Sequence, residues 1–155
     1  MGFKIRLAEK NEADFLRLAD LLINHFFKEH EMGELSARHF DQEKVISEIA
    51  ITLGHDKTWV AETDDGKIVG SIGLQLGQLW YTDRSRYGDK WFYVLPEYRS
   101  QGIATALIKQ VKEFAKTSEY PITLGIYNMD DIERKIKFFQ RAGLKLAGST
   151  FYVGA

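Results

Sequence analysis

The two prolines of this chain bracket a helix-forming segment, and this arrangement constrains the fold more than any other feature. Residues 91–95 form an apolar strand candidate that ends at Pro96, and residues 122–127 form another directly after Pro121. Between them, residues 102–116 carry apolar side chains at helical spacing, at Ile103, Leu107, Val111 and Phe114. Proline lacks the N–H that an element interior needs, so each one marks a boundary. The pattern predicts a helix that crosses over between two parallel strands.

The six residues from Arg99 to Ala104 join the first of these strands to the helix. A loop that enters a helix leaves backbone N–H groups unpaired at the positive end of the helix dipole, which suits a phosphate or pyrophosphate. Gly102 and Ala104 leave room for a bulky ligand near the main chain. The alternative is an ordinary turn without a ligand, in which glycine only makes the backbone conformation accessible. The glycine patterns of dinucleotide sites and nucleotide P-loops are absent, which disfavours those ligands.

Composition excludes several classes of protein. With 155 residues, 45% of them hydrophobic, we expect one domain over residues 1–155. A net charge of −1 gives no reason to expect nucleic acid or an anionic membrane as a partner. No apolar run reaches the roughly 18 residues of a membrane-spanning helix. The absence of cysteine excludes disulfides and thiolate zinc sites and fits a cytoplasmic protein. The four histidines lack the i, i+4 pair of a zinc helix, so we expect no metal.

The rest of the chain alternates strand and helix patterns. We predict strands at residues 3–8, 58–62, 67–76 and 144–153, helices from Asn11, over 42–53 and over 130–142, and a loop at 80–90. Asn11 offers a helix cap to Asp14, and Asp65-Gly66 predicts a hairpin turn. One face of the strand at 67–76 is apolar and predicts burial on that side. The resulting order, β-α-α-β-β-β-α-β-α-β, indicates a mixed α/β fold.

On these residues the chain resembles the GNAT superfamily of acyl-CoA-dependent N-acyltransferases. The family signature is Arg or Gln, two residues, Gly, one residue, then Gly or Ala, and Arg99, Gly102 and Ala104 match it. Residues 93–98 and 139–144 also resemble the sequences that family members carry at these places. The resemblance implies the GNAT fold with splayed central strands and transfer of an acyl group, most simply from acetyl-CoA, to a primary amine by direct attack in a ternary complex. The alternative is a coenzyme-binding or regulatory module of the same fold with little turnover.

The resemblance also implies where the coenzyme would bind. The backbone amides of residues 101–105 would hold its pyrophosphate, and the strand edge at 93–95 would pair with its pantetheine arm. A backbone N–H near Val94 or Leu95 would face the thioester oxygen, as a preorganised donor for the charge that develops there. The implied coenzyme-binding residues are Tyr93, Val94, Leu95, Arg99, Ser100, Gln101, Gly102, Ile103, Ala104, Thr105, Asn128 and Phe139.

The catalytic residues depart from the family pattern. Phe139 stands where many members place a tyrosine that protonates the departing thiolate, and Lys90 and Trp91 stand where a carboxylate base is common. The weak candidates for proton transfer are Asp89, Tyr93, Tyr127 and Tyr152. Asn128 either caps the last helix or contacts the coenzyme.

The acceptor is expected to be an amine whose identity the sequence leaves open. The acidic residues of 29–48 either favour a cationic small molecule or form an ordinary solvated surface. Dimers are common among relatives, so a homodimer is possible here.

Overall fold

The computed structural model describes residues 2–29, 40–126, 130–151 and 153 and shows one five-stranded sheet with its helices. The strands are β1 (Phe3–Leu7), β2 (Lys57–Thr63), β3 (Ile68–Gln78), β4 (Ser85–Val94) and β5 (Ile122–Thr123). The α-helices are α1 (Glu12–Leu21), α2 (Phe27–Glu29), α3 (Gln42–His55), α4 (Ile103–Ala115) and α5 (Ile132–Arg141). A π-helical segment (Leu22–Phe26) joins α1 to α2, and a 3-10 turn (Pro96–Tyr98) follows β4.

The strands follow one another across the sheet in the order of the chain. The pairs from β1 to β4 are antiparallel, whereas β4 and β5 are parallel. Helix α4 forms the crossover between these two parallel strands, which confirms the prediction from the prolines. The mixed α/β fold class is also confirmed.

Local signals in the sequence place the helices correctly. The Asn11 side chain accepts the N–H of Asp14 at 2.9 Å and caps α1, and the hairpin turn forms with the Gly66 N–H donating to the Thr63 carbonyl at 2.9 Å. In α4, Ile103, Leu107 and Val111 are buried, as their spacing predicts.

Helices cover both faces of the sheet. On one face, the Phe114 ring of α4 lies 5.6 Å from the ring of Trp59 and 5.3 Å from that of Tyr87. On the other, α1 and α3 supply Leu18, Leu21, Ile49 and Leu53 to the core. The predicted burial of the apolar face of β3 is confirmed at Ile68, Ile72 and Leu74, whereas Leu76 is 36% exposed. The opposite face is buried as well over residues 68–74.

The predicted loop at 80–90 is wrong in its second half. Strand β4 begins at Ser85, which pairs with Gln78, so β3 and β4 form one long hairpin. Residues 85–90 are half-buried on both sides of the strand. Apolar and polar residues alternate along a strand only where one face is buried and the other is exposed to solvent. This part of β4 therefore lacks the alternation by which a strand is predicted from sequence.

The end of the chain also differs from the prediction. Strand β5 comprises only Ile122 and Thr123, although the sequence predicts a strand through Tyr127. The predicted final strand at 144–153 is absent from its described residues, 144–151 and 153. Leu146, Phe151 and Val153 are exposed there, so the apolar pattern of this segment is not matched by burial. Tyr127, Asn128 and Tyr152 lie outside the described residues. Within the described part of the chain, no helix has the length and apolar character to cross a membrane.

Candidate functional site

Strands β4 and β5 part after two residue pairs and leave a gap between them. The pairs are Tyr87 with Ile122 and Gly88 with Thr123. At the next step the Asp89 carboxylate, rather than a strand carbonyl, accepts the Gly125 N–H at 2.8 Å. Beyond that point β4 continues to Val94 with no partner strand on this side among the described residues. The splayed central strands implied by the resemblance are therefore present.

A β-bulge interrupts β4 where this gap opens. Gly73 pairs with Trp91 and Leu74 with Asp89, so Lys90 is an extra residue without a partner. After the bulge, the Leu95 N–H donates to the Val69 carbonyl at 2.9 Å within the β3 ladder. Because N–H groups alternate sides along an antiparallel strand, the N–H and carbonyl of Val94 point away from β3. Of the two amides considered for the thioester oxygen, only that of Val94 is directed at the gap.

The corner between β4 and α4 presents main-chain N–H groups to open space. Gly102 adopts a left-handed conformation with φ of 84°, and a Cβ built there would meet nothing within 4 Å. The first intrahelical bond runs from the Ala106 N–H to the Gly102 carbonyl at 2.9 Å. The N–H groups of residues 103–105 thus precede the helix ladder, and no side chain of the described residues caps them. This corner has the geometry of an anion site.

The side chain of Arg99 is exposed, but other residues of the protein engage it. Its Nη2 donates to Glu29 Oε2 at 2.7 Å, and its Nε donates to the Val94 carbonyl at 2.9 Å. The guanidinium also lies over the Tyr93 ring, 5.4 Å from the centroid. Arg99 therefore ties the corner to α2 and to β4 through its guanidinium.

Tyr93 belongs to the same cluster and faces the α1–α2 side of the sheet. Its hydroxyl donates to Glu29 Oε2 at 2.5 Å, and its ring lies 5.5 Å from that of Phe26. Burial, followed by the charge and hydrogen bond of Glu29, raises the pKa of Tyr93 above its ordinary value. Tyr93 thus keeps its proton at neutral pH and donates it in the hydrogen bond to Glu29.

Asp89 lies where the two strands part. Burial raises the pKa of its carboxyl above the ordinary value, and the hydrogen bond from Gly125 opposes that shift. In the sequence, Asp89 directly precedes Lys90 and Trp91, the positions where the resemblance places a carboxylate base. The bulge at Lys90, which no local pattern in the sequence reveals, gives Asp89 its place at the gap.

Phe139 packs near the gap from the side of α5. Its ring centroid is 6.0 Å from that of Phe92 in β4, and 5.5 Å from that of the neighbouring Phe138. No hydroxyl is available at this position for proton transfer.

A cleft of about 840 Å³ opens on the α1–α3 side of the bulge. Its charged lining residues are Asp41, Lys44, Glu48 and Lys90. The Lys90 ammonium donates to Glu48 Oε2 at 2.5 Å and to the Thr52 hydroxyl at 2.9 Å. This hydrogen bond and charge lower the pKa of Glu48. No local pattern in the sequence indicates this pair, since its members are 42 residues apart.

Within the described residues, no group of three His, Asp or Glu side chains forms a site for a metal ion. The acidic residues expected to wall the acceptor site are partly engaged, since Glu29 pairs with Arg99 and Glu48 with Lys90. Glu31 and Glu34 lie outside the described residues.

A family model described as the acetyltransferase (GNAT) domain matches residues 54–145, which include the β4–α4 corner and the gap. The chain belongs to the GNAT acetyltransferase family. This confirms the resemblance read from Arg99, Gly102 and Ala104, and it makes the protein an acetyltransferase by family. By sequence, no curated protein matches this GNAT chain.

Solved structures show the same fold. An aminoglycoside acetyltransferase from an uncultured soil metagenomic sample superposes with a TM-score of 0.67 at 19% identity, covering 100% of this chain and 99% of its own. A structure of AAC(6')-Iy in complex with the bisubstrate analogue CoA-S-monomethyl-acetylneamine gives 0.67 at 17% identity, over 100% and 99% of the two chains. Ribosomal-protein-alanine N-acetyltransferase from Brucella melitensis biovar Abortus 2308 gives 0.66 at 18% identity, over 100% of both chains. Identities this low establish the fold of the GNAT chain and leave its acceptor undefined.

Proposed function

We propose that this protein transfers an acyl group, acetyl in the simplest case, from acyl-CoA to a primary amine. The observation that carries the proposal is the position of the open N-terminus of α4 beside the gap between β4 and β5. An anion held at that corner would place a chain attached to it along the free edge of β4. One end of the site then binds the carrier, and the other exposes its thioester.

The coenzyme would be held mostly by main-chain atoms. The amides of residues 101–105 would bind the pyrophosphate, as charge at a helix N-terminus favours. The pantetheine arm carries amides of its own and would pair with the edge of β4 as an added strand. The Val94 N–H would then donate to the thioester oxygen, where negative charge develops during attack. The neighbour that binds a bisubstrate analogue containing CoA supports this use of the fold.

The acceptor amine would enter through the cleft beside the bulge and attack the thioester carbon directly. The carbon–nitrogen bond forms, the carbon–sulfur bond breaks, and the amine loses one proton to water in the cleft. A thiol with a pKa of about 8–9 leaves as thiolate with little acid assistance, so Phe139 does not prevent turnover. Tyr93 is not assigned as the acid, because its hydroxyl already donates a hydrogen bond to Glu29.

The proposal is tested by placing a charge in the corner. Gly102→Glu adds bulk and negative charge where the diphosphate would lie, and we expect the affinity for CoA, measured by calorimetry, to fall at least a hundredfold. Gly66→Glu is the matched control, because Gly66 has a φ of 85° in a hairpin turn away from the corner. Both variants carry the same backbone strain, about 1–2 kcal/mol. Equal CoA affinity in the two variants would refute the site.

Turnover is measured separately, as thiol released from acetyl-CoA in the presence of a panel of primary amines. The protein has no cysteine, so a thiol reagent detects only CoA. Release that depends on an amine supports the transferase. Tight binding of CoA with no release for any amine would instead favour the coenzyme-binding module.

A further inference from the structure

The cleft beside the bulge has a wall of aromatic rings that are only half-buried. The Phe27 ring stacks on that of Phe40 at a centroid distance of 5.0 Å and an interplanar angle of 7°. The Phe26 ring meets Phe27 edge-on, also at 5.0 Å. Each of these three side chains retains exposed area toward the cleft. An apolar ligand would remove that area from water, which is the usual source of affinity in a small-molecule pocket.

The floor of the cleft is a fixed indole. Trp91 is 5% exposed, and its Nε1 donates to the buried Ser71 hydroxyl at 2.9 Å. Its six-membered ring occupies the space above Gly73, where an added Cβ would come within 2.5 Å of it. The indole N–H is therefore satisfied inside the protein, and the part of the ring that reaches the cleft is apolar.

The charged side chains described in the cleft balance one another. Among the described lining residues, Asp41 and Glu48 are balanced by Lys44 and Lys90. Asp41 also caps α3 by accepting the Lys44 backbone N–H at 3.1 Å. A second ammonium on a ligand would have to compete with Lys90 for Glu48, and its desolvation beside the rings would be uncompensated.

We propose that the acceptor of this site is a primary monoamine carried on an apolar or aromatic body, and that polyamines and other polycations are poor acceptors. The inference rests on the proposed function, since it assigns this cleft to the acceptor of the acyl transfer. The acidic residues of 29–48 suggested a cationic acceptor, but the acidic side chains described in the cleft are already paired with lysines. The inference therefore restricts the acceptor to an amine with a single positive charge.

The test compares two amines of equal length, hexylamine and 1,5-diaminopentane. They share the reacting group and differ in the far end, which is a methyl group in one and an ammonium in the other. We expect kcat/KM for hexylamine to be at least tenfold higher, by analogy with other sites that reject an uncompensated polar group. Along the series from propylamine to hexylamine, kcat/KM is expected to rise by up to about fourfold per methylene. Equal or better turnover of the diamine would overturn the inference.

Two variants connect this preference to the cleft. Phe27→Ala is expected to lower kcat/KM for hexylamine at least tenfold and that for propylamine much less. Lys90→Gln leaves Glu48 uncompensated and is expected to raise the ratio of diamine to hexylamine turnover, whereas Lys109→Gln, on the exposed surface of α4, leaves it unchanged. Unchanged CoA affinity in each variant shows that the fold is retained. An unchanged hexylamine-to-propylamine ratio in Phe27→Ala would overturn the inference.

A binding measurement keeps this inference separate from the proposed function. If no amine releases thiol, the acyltransferase proposal fails, and the cleft is judged by the thermal shift of the CoA-bound protein. A larger rise in Tm with hexylamine than with 1,5-diaminopentane supports the apolar cleft. A larger rise with the diamine, or an equal one, overturns it.

Discussion

Removing the charge of Asp14 is expected to destabilise the fold far more than the same change elsewhere on α1. The Asp14 carboxylate is buried and receives two hydrogen bonds from Arg6, at 2.6 and 2.9 Å. It also accepts from Arg17 at 2.6 Å and from the Glu9 N–H at 2.7 Å. It therefore joins β1, the following loop and α1 at one point. Asp14→Asn leaves two guanidinium groups without this partner.

The expected loss of folding free energy follows from the pKa of the Asp14 carboxyl. The hydrogen bonds and charge of Arg6 lower the pKa of Asp14 from 3.8 to about 2. A shift of this size corresponds to roughly 2 kcal/mol of folding free energy. Because the folded-state pKa is the lower one, this stability is complete above pH 3.8 and is lost as the pH falls toward 2. We expect Asp14→Asn to cost about 2–4 kcal/mol at pH 7, below the roughly 3–5 kcal/mol for a fully buried pair because Arg6 and Arg17 are partly exposed.

The assay is urea unfolding followed by circular dichroism, at pH 7 and in steps from pH 5 to pH 2. Asp20→Asn is the matched control, since Asp20 is exposed on the same helix and, among the described residues, its carboxylate accepts a side-chain hydrogen bond only from the Asn24 amide, at 2.7 Å. We expect the control to change stability by less than about 0.5 kcal/mol. We also expect Asp14→Asn to flatten the loss of stability below pH 4. Equal stabilities for the two variants, or the same acid dependence as the unaltered protein, would refute the reasoning.

Two further predictions concern the site. Phe139→Tyr places a hydroxyl near the gap and is expected to raise kcat, measured by thiol release, at least tenfold, because the hydroxyl can protonate the thiolate. Phe138→Tyr is the control. No gain in kcat for Phe139→Tyr would mean that the thiolate receives its proton from another source. Glu29→Gln weakens the ion pair between Arg99 and α2, and we expect the affinity for CoA, measured by calorimetry, to fall several-fold. Glu97→Gln, next to the corner, is the control and is expected to leave the affinity for CoA unchanged. Equal affinities in the two variants would show that this ion pair does not order the corner.

The features that sequence reasoning placed correctly depend on short stretches of chain. The Asn11 side chain caps α1 by bonding the N–H three residues later, and each proline removes a backbone hydrogen bond at its own position. The apolar stripe of α4 repeats within one helix. Backbone sterics, capping bonds and side-chain periodicity all act over a few residues. For the same reason the motif from Arg99 to Ala104 and its position before a helix could be read without the structure.

The tertiary structure alone decided the features that join distant parts of the chain. Strand β4 begins at Ser85 because β3 pairs with it, and the gap opens because β5 pairs with only two of its residues. The Arg99–Glu29 bond spans 70 residues and the Lys90–Glu48 bond spans 42. Such contacts depend on how the elements are arranged in space, which no local periodicity records. The sequence therefore determined that a glycine-containing loop enters a helix at this corner, and packing determined what lies beside it.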